Sequence, residues 1–365
     1  MSNASADAMF TDIRRLASRW LRLAALHLLA IAAPGSVAAQ QQSPASGAIS
    51  GAFAGKLMKL YVGAPVGAAY DLVGRAVAAH LPRFISGQPT VIVENMPGAA
   101  SIVMINHLYN RAPRDGAAFG LALNGIVLED RLKVLSRDGS NVRFEVGKLG
   151  WLGSPAQEPI IFLVWHATPF RSVEDLNRAP AAFGTSSQGT DNYVLPIVAN
   201  RLLGTQINVA AGYKGVGDLF LAMERGELQG AAVLQSNLST RPDWLRDGKI
   251  RVLLQFGTTR LRQMPEVPAA VELASDAEAR ELLGVYANKF KATYPFILPP
   301  DVPAERASEL RAAFDAVFKD ARFIADAARV GVDVDPVSGD EIRRLIEKIQ
   351  AVPQPVMDRL RKLVE

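Results

Sequence analysis

The chain has 365 residues, 49% of them hydrophobic and 21% charged, with a formal net charge of +4 and no cysteine. Such a composition supports a packed core of one large or two ordinary domains, and it excludes wholesale disorder, disulfides, thiolate metal sites and a cysteine nucleophile. Outside residues 1–39, 36 basic residues face 34 acidic ones with no dense Lys/Arg block, so nucleic acid is not an expected partner.

Residues 1–39 read as a secretory signal. Arg14, Arg15, Arg19 and Arg22 make a positive start, 23–33 is an 11-residue apolar run, Pro34-Gly35 breaks it, and Val37-Ala38-Ala39 fits a small-x-small cleavage site. The run falls short of the about 20 residues that span a bilayer. Cleavage near Ala39 and export to a periplasm are therefore expected, rather than a membrane anchor. Residues 40–55, rich in Gln, Ser, Ala and Gly, read as a flexible leader.

From 56 onward, strand and helix patterns alternate. Apolar and β-branched runs predict strands at 57–62, 90–93, 119–123, 160–165, 181–184, 207–210, 229–233 and 251–256. Helical spacing predicts helices at 70–84, 102–109, 191–203 and 216–225, and Ser172-Val173-Glu174-Asp175 is a capping box opening a short one. Beyond residue 300 the pattern is helical. Pro303 opens 304–319, the helix continues or restarts over 320–330, Ser338-Gly339-Asp340-Glu341 caps another, and 356–364 ends the chain. The alternation implies α/β architecture with largely parallel sheets.

Four Gly-rich loops follow predicted strands, and each opens or adjoins a helix. They are G-A-P-V-G-A-A-Y-D at 63–71, E-N-M-P-G-A-A-S at 94–101, G-T-S-S-Q-G-T-D at 184–191 and G-Y-K-G-V-G-D at 212–218. Backbone N–H groups at the positive end of a helix dipole form a ready anion site. In parallel α/β sheets such loops gather beyond the carboxyl ends of the strands, where ligands sit. The loops add the hydroxyls of Thr185, Ser186, Ser187, Thr190 and Tyr213, and the amine of Lys214. These donors suit a carboxylate. Asp71 and Asp191 also read as plain helix caps, and Lys214 as a solvated surface lysine.

Enzyme signatures are missing. The sequence holds no G-x-S-x-G elbow, no G-x-x-x-x-G-K-[ST] loop and no G-x-G-x-x-G. His27, His80, His107 and His166 form no H-x-x-x-H pair, so neither a metal nor another cofactor is expected.

The loops and the motifs between them fall in a distinctive order: V-G-A-P-V-G-A-A-Y-D (62–71), V-E-N-M-P-G-A-A (93–100), A-P-R-D-G (112–116), W-L-G-S (151–154), G-T-S-S-Q-G-T (184–190), Y-K-G (213–215), G-K-I-R-V-L (248–253) and M-P-E-V-P (264–268). From about Lys56 to the C-terminus, this series resembles the substrate-binding proteins of tripartite tricarboxylate transporters, the Bug family of periplasmic solute receptors. The resemblance implies a two-domain periplasmic-binding-protein fold (Venus-flytrap, type II). Its first domain would comprise 56–160 plus 257–365 and its second 161–256, with crossover strands at 160–165 and 251–256. It implies a monomeric receptor, not an enzyme, that closes on a small carboxylate and docks with membrane permease subunits. Ligand contacts would come from Gly67, Ala68, Ala69, Tyr70 and Asp71, and from Pro97, Gly98, Ala99, Ala100 and Ser101. The second domain would add Thr185, Ser186, Thr190, Tyr213, Lys214 and Gly215.

Two alternatives stay open: a sensor that signals to a membrane kinase, and a periplasmic hydrolase using Ser186 or Lys214, although no base lies near Ser186 in sequence. This chain also departs from the family pattern. Ala68-Ala69 and Ala100-Ser101 stand where consecutive glycines are usual, and side chains there disfavour positive φ and narrow the approach to the backbone. The Ser101 hydroxyl is the expected substitute donor.

Overall fold

The computed structural model describes residues 52–132, 141–185 and 190–364. Two sheets organise them. The first contains β1 (Leu57–Val62), β2 (Thr90–Asn95), β3 (Ala118–Leu121), β4 (Gly150–Ser154), β10 (Phe296–Leu298) and β11 (Val337–Ser338), in the order β11-β4-β10-β3-β1-β2. The second contains β5 (Ile160–Trp165), β6 (Ala181–Thr185), β7 (Ile207–Ala211), β8 (Gly230–Leu234) and β9 (Ile250–Phe256), in the order β7-β6-β8-β5-β9. The chain enters the second sheet between β4 and β5 and leaves it after β9.

The sheets are mixed rather than largely parallel. In the first, β1 runs parallel to β2 and β3, but β10 is antiparallel to β3 and β4, and β11 to β4. In the second, β6 runs parallel to β7 and β8, but β5 is antiparallel to β8 and β9. The parallel triplets arise from strand–helix–strand crossovers. The antiparallel strands are where the chain enters or returns to a sheet, and helix alternation does not report that direction.

Each triplet is followed by its crossover helices. These are α1 (Ala69–His80) and α2 (Ile102–Asn110) in the first half, and α5 (Asp191–Leu203) and α6 (Val216–Glu224) in the second. Shorter helices are α3 (Ile126–Leu132), α4 (Val173–Arg178) and α7 (Asp243–Arg246). Helices α8 (Ala277–Ala287), α9 (Ala304–Val317), α10 (Ala321–Arg329), α11 (Gly339–Gln350) and α12 (Gln354–Val364) follow the return.

Packing is continuous across both sheets, which lie in one compact unit, Ile49–Glu365. One apolar cluster joins Trp151 and Ile297 of the first sheet to Phe162 and Phe183 of the second, with α5, α8 and α12 around it. The opposite face of the first sheet packs on α1, α9 and α10, where Phe296, Phe314 and Phe318 stack together. The outer face of the second sheet is covered by α6 and by Trp244 of α7.

The leader ends earlier than the sequence suggests. Residues 52–55 form turns, and Phe53 is fully buried, its ring under Gly116. A buried phenylalanine contributes on the order of 1.5–3 kcal/mol, enough to fix this stretch onto the sheet. The signal expected at 1–39 lies outside the described residues. No described helix is long and apolar enough to cross a membrane.

Candidate functional site

The first loop follows β1. Gly67 takes the left-handed conformation, φ +80°, which lets its N–H donate to Asp71 Oδ2 at 2.8 Å. Asp71 is buried, and its carboxylate also accepts from Arg75 Nε at 3.0 Å and Asn95 Nδ2 at 2.9 Å. Asn95 in turn reaches Ala64 O at 3.0 Å. Burial raises the Asp71 carboxyl, but Arg75, the Gly67 N–H and Asn95 outweigh it and hold it below the usual range. Asp71 therefore locks the first loop to the end of β2. Asn95, inside the second motif, was not among the expected site residues, yet it wires the two motifs together.

The second loop carries the strain anticipated at one of the two alanine positions. Ala99, Ala100 and Ser101 all have positive φ, at 43°, 48° and 79°. Such backbone costs roughly 1–2 kcal/mol per non-glycine residue. Ala68 is extended at φ −70° and Ala69 is helical, so the first loop carries no such strain. Pro97 and Gly98 are exposed. Ser101 is fully buried. Its hydroxyl donates to Gly63 O at 3.0 Å and accepts from Leu123 N at 3.1 Å. A Cβ on Gly63 would lie 2.3 Å from Ser101 Oγ, so glycine is needed for this close approach. The single Ser101 proton goes to the protein's own backbone in this structure.

In the second half, Thr185 at the end of β6 is fully buried and donates to Asn192 Oδ1 at 2.8 Å, as does Thr190. The two hydroxyls meet on one acceptor in the first turn of α5. Ser186 lies outside the described residues. Tyr213 N donates to Thr185 O at 3.4 Å, and its ring lies over Gly184. Lys214 is exposed and Gly215 half-buried.

Among the described residues, the hydroxyls of Ser101, Thr185 and Thr190 are engaged within the protein, and the loops also present backbone N–H groups. Helices α1, α2, α5 and α6 begin at Ala68, Ser101, Thr190 and Gly215 with no side-chain cap. Their first N–H groups have no intrahelical acceptor. Each such end carries about half a positive charge.

The segment 286–294 touches two of these ends, α1 and α5, and sequence reasoning did not single it out. Tyr70 Oη donates to Thr293 O at 2.7 Å and accepts from Asn124 N at 3.4 Å, while its ring packs on Tyr294 at 4.9 Å. Burial raises the Tyr70 phenol, with the Asp191 and Glu158 charges adding to the effect. Asp191 pairs with the buried amine of Lys289, which also donates to Tyr286 Oη at 2.9 Å. Burial lowers the Lys289 amine, and Asp191 opposes that shift. Because Asp191 neutralises Lys289, the nearest buried cation adds no net charge. Buried positive charge for an anion is then left to helix ends and N–H donors, with Lys214 exposed beside them.

Other singled-out features have structural roles. Asp115 of A-P-R-D-G accepts from Ala117 N at 3.0 Å and pairs with Lys56 at 2.9 Å. His80 bridges Asp326 and Arg83, and His107 packs edge-on against Tyr61. Among the described residues, no group of His, Cys, Asp and Glu could hold a metal ion.

Comparison with known proteins follows the same lines. Residues 73–360 match the tripartite tricarboxylate transporter family receptor. The chain is similar to a TctC solute-binding protein from Polaromonas, with a TM-score of 0.62 and 14% identity over 83% of this chain and 98% of that one. It is similar to MatC from Rhodopseudomonas palustris with bound malate, with a TM-score of 0.59 and 16% identity over 85% and 99%. A second R. palustris protein, solved with adipate, gives 0.63 and 18% over 84% and 97%. At these identities the likeness is one of fold, the two-domain fold of periplasmic binding proteins. Among curated sequences, none matches this chain significantly.

Proposed function

The chain belongs to the tripartite tricarboxylate transporter receptor family, and from that premise we propose that it captures a small carboxylate between two lobes for delivery to a membrane permease. The lobes are 56–160 plus 257–365 and 161–256. The observation that carries the ligand class is the set of four uncapped helix ends beyond the parallel strands. A carboxylate accepting those N–H groups gains on the order of 1.5–3 kcal/mol per hydrogen bond. The dipoles supply the positive potential that the neutralised Lys289 does not. The malate and adipate held by two structural neighbours fit the same chemistry.

Direct contacts in this reading come from the backbone of Ala69, Tyr70 and Asp71 on α1, of Ala99 and Ala100 beside α2, and of Gly215 before α6. Ser101, Thr185 and Thr190 act by shaping the loops, and Tyr213 and Lys214 line the rim. The signal-like residues 1–39 support export and a periplasmic site of action. Calorimetric titration with malate, adipate and other di- and tricarboxylates tests the proposal. Saturable binding of at least one acid is expected. A folded sample that binds none of them overturns it.

A further inference from the structure

We infer that ligand capture by this receptor is proton-coupled: Glu158 takes up a proton as the lobes close on the anion, so capture strengthens in acid. The inference rests on the carboxylate-cleft reading above.

Glu158 lies in the stretch between β4 and β5, where the chain passes from one sheet to the other. It is 5% exposed. One carboxylate oxygen accepts from the Ser236 N–H, just after β8 of the second sheet. The other accepts from Tyr294 Oη at 3.0 Å, just before β10 of the first. Ser236 Oγ and Tyr294 Oη are themselves 3.2 Å apart. The Glu158 backbone is fixed as well, its N–H donating to Thr293 Oγ at 2.8 Å. A single buried acid thus ties both lobes at their junction, and its donors are all neutral.

The charged groups around it are committed elsewhere or stand off. Behind Glu158 is a cavity of about 330 Å³, also lined by Arg260, Arg262, Lys291, Asp333 and Asp335. Arg260 is clamped by Glu272, Asp333 accepts from Gln263, and Asp335 accepts from Gln157. Among the described residues, no cation is within ion-pair distance of Glu158. On the other side are the phenols of Tyr294 and Tyr70. Burial pushes the Glu158 carboxyl up to about 7, against the opposing hydrogen bonds of Ser236 and Tyr294.

The site can hold the proton without breaking a hydrogen bond. Protonated Glu158 donates to Tyr294 Oη, the Tyr294 hydroxyl turns to Ser236 Oγ, and the Ser236 N–H keeps its carboxyl oxygen. Opening the lobes separates Ser236 from Tyr294 and lets water reach the acid, which then titrates near the ordinary 4.5. The closed form has the raised value, so it binds the proton more tightly. Closure is favoured as pH falls through about 7. The gain is complete below the ordinary carboxyl range and absent well above 7.

Titration calorimetry with malate and adipate, at pH 6 and 8 and in two buffers of different ionisation enthalpy, tests this. The expected result is uptake of about one proton per ligand at pH 6, and binding about tenfold tighter at pH 6 than at pH 8. The Glu158→Gln variant reports the ligand's own protonation and is expected to lose both effects. Tyr294→Phe, which breaks the relay but keeps the ring, is expected to weaken the coupling and still bind. Binding by the wild type without proton uptake, or uptake that persists in Glu158→Gln, overturns the inference alone. Absence of binding at either pH removes the carboxylate reading, and the inference with it.

Discussion

Helices α1, α2, α5 and α6 begin bare, whereas α8, α10 and α11 begin under a side-chain cap. Asp276 accepts from Ala279 N on α8, Asp320 from Arg322 and Phe323 N on α10, and Ser338 from Glu341 N on α11. Two further helices, α7 and α9, start at Pro242 and Pro303, whose fixed φ is already suited to a helix start. A cap stabilises by about 1 kcal/mol, so four bare ends forgo a sizeable total. They are the four crossover helices that join one parallel strand to the next. The contrast teaches that a helix start can serve stability or reception of an anion, and that the side chain at the N-cap decides which.

The largest expected effect concerns α5, one of three bare ends with an acid in the first turn, alongside Asp71 on α1 and Asp218 on α6. Asp191 is tolerable there because Lys289 neutralises it, in a pair whose side chains are 16% and 6% exposed. Lys289→Met leaves that carboxylate largely buried and unpaired, and is expected to cost about 3–5 kcal/mol in urea unfolding. Adding Asp191→Asn is expected to recover most of the loss. A cost below about 1 kcal/mol, typical of an exposed pair, would mean that Lys289 does not set the charge at this helix end.

A reciprocal pair of substitutions breaks the comparison more directly. Ala68→Asp gives α1 the cap it lacks. Stability should hold or rise by up to about 1 kcal/mol, while the added anion should weaken carboxylate binding by about 2 kcal/mol, or 30-fold. Ser338→Ala removes the cap of α11 and should do the opposite, costing about 1 kcal/mol with affinity unchanged. Urea melts and calorimetry on the same two proteins read both quantities. Equal affinity loss in both would show that bare and capped ends do not differ in function.

Much of the scaffold is legible in the sequence because its signals are local. The β-branched run of β2, the capping box at Ser172 and Asp175 and the Ser338 cap each need only a few neighbouring residues. Strand β10 is hidden because Phe296–Leu298 is three residues long and flanked by prolines. Strand β4 is hidden because glycines interrupt it. Loop positions are legible for the same reason as the caps, since Gly and Pro punctuate them. What the loop side chains do is not. The Ser101 proton goes to Gly63, and Lys289 meets Asp191 across 98 positions in sequence. Tyr294 meets Glu158 across 136. Such partners are set by tertiary packing, and no periodicity or spacing encodes them.

The smallest expected effect separates two alanines that look equivalent in sequence. Both Ala69 and Ala100 stand where glycine is usual in the resembling family, but the backbone treats them oppositely. Ala100 is held at φ 48°, ψ 47°, between two other residues at positive φ. Ala69 is the first residue of α1. Glycine at Ala100 relieves left-handed strain that outweighs the added freedom of the unfolded chain, and should stabilise by up to about 1 kcal/mol. Glycine at Ala69 relieves nothing and loosens a helix start, so it should destabilise by about 0.5–1 kcal/mol. Opposite signs in urea unfolding would locate the strain in the second loop. The same sign at both positions would mean that the departure from glycine acts through backbone entropy alone. With the strain located, the two bare helix starts beside the first sheet differ in kind. The α1 end is relaxed and wired by Asp71. The α2 end is strained and pinned by Ser101, so its N–H groups point where packing forces them.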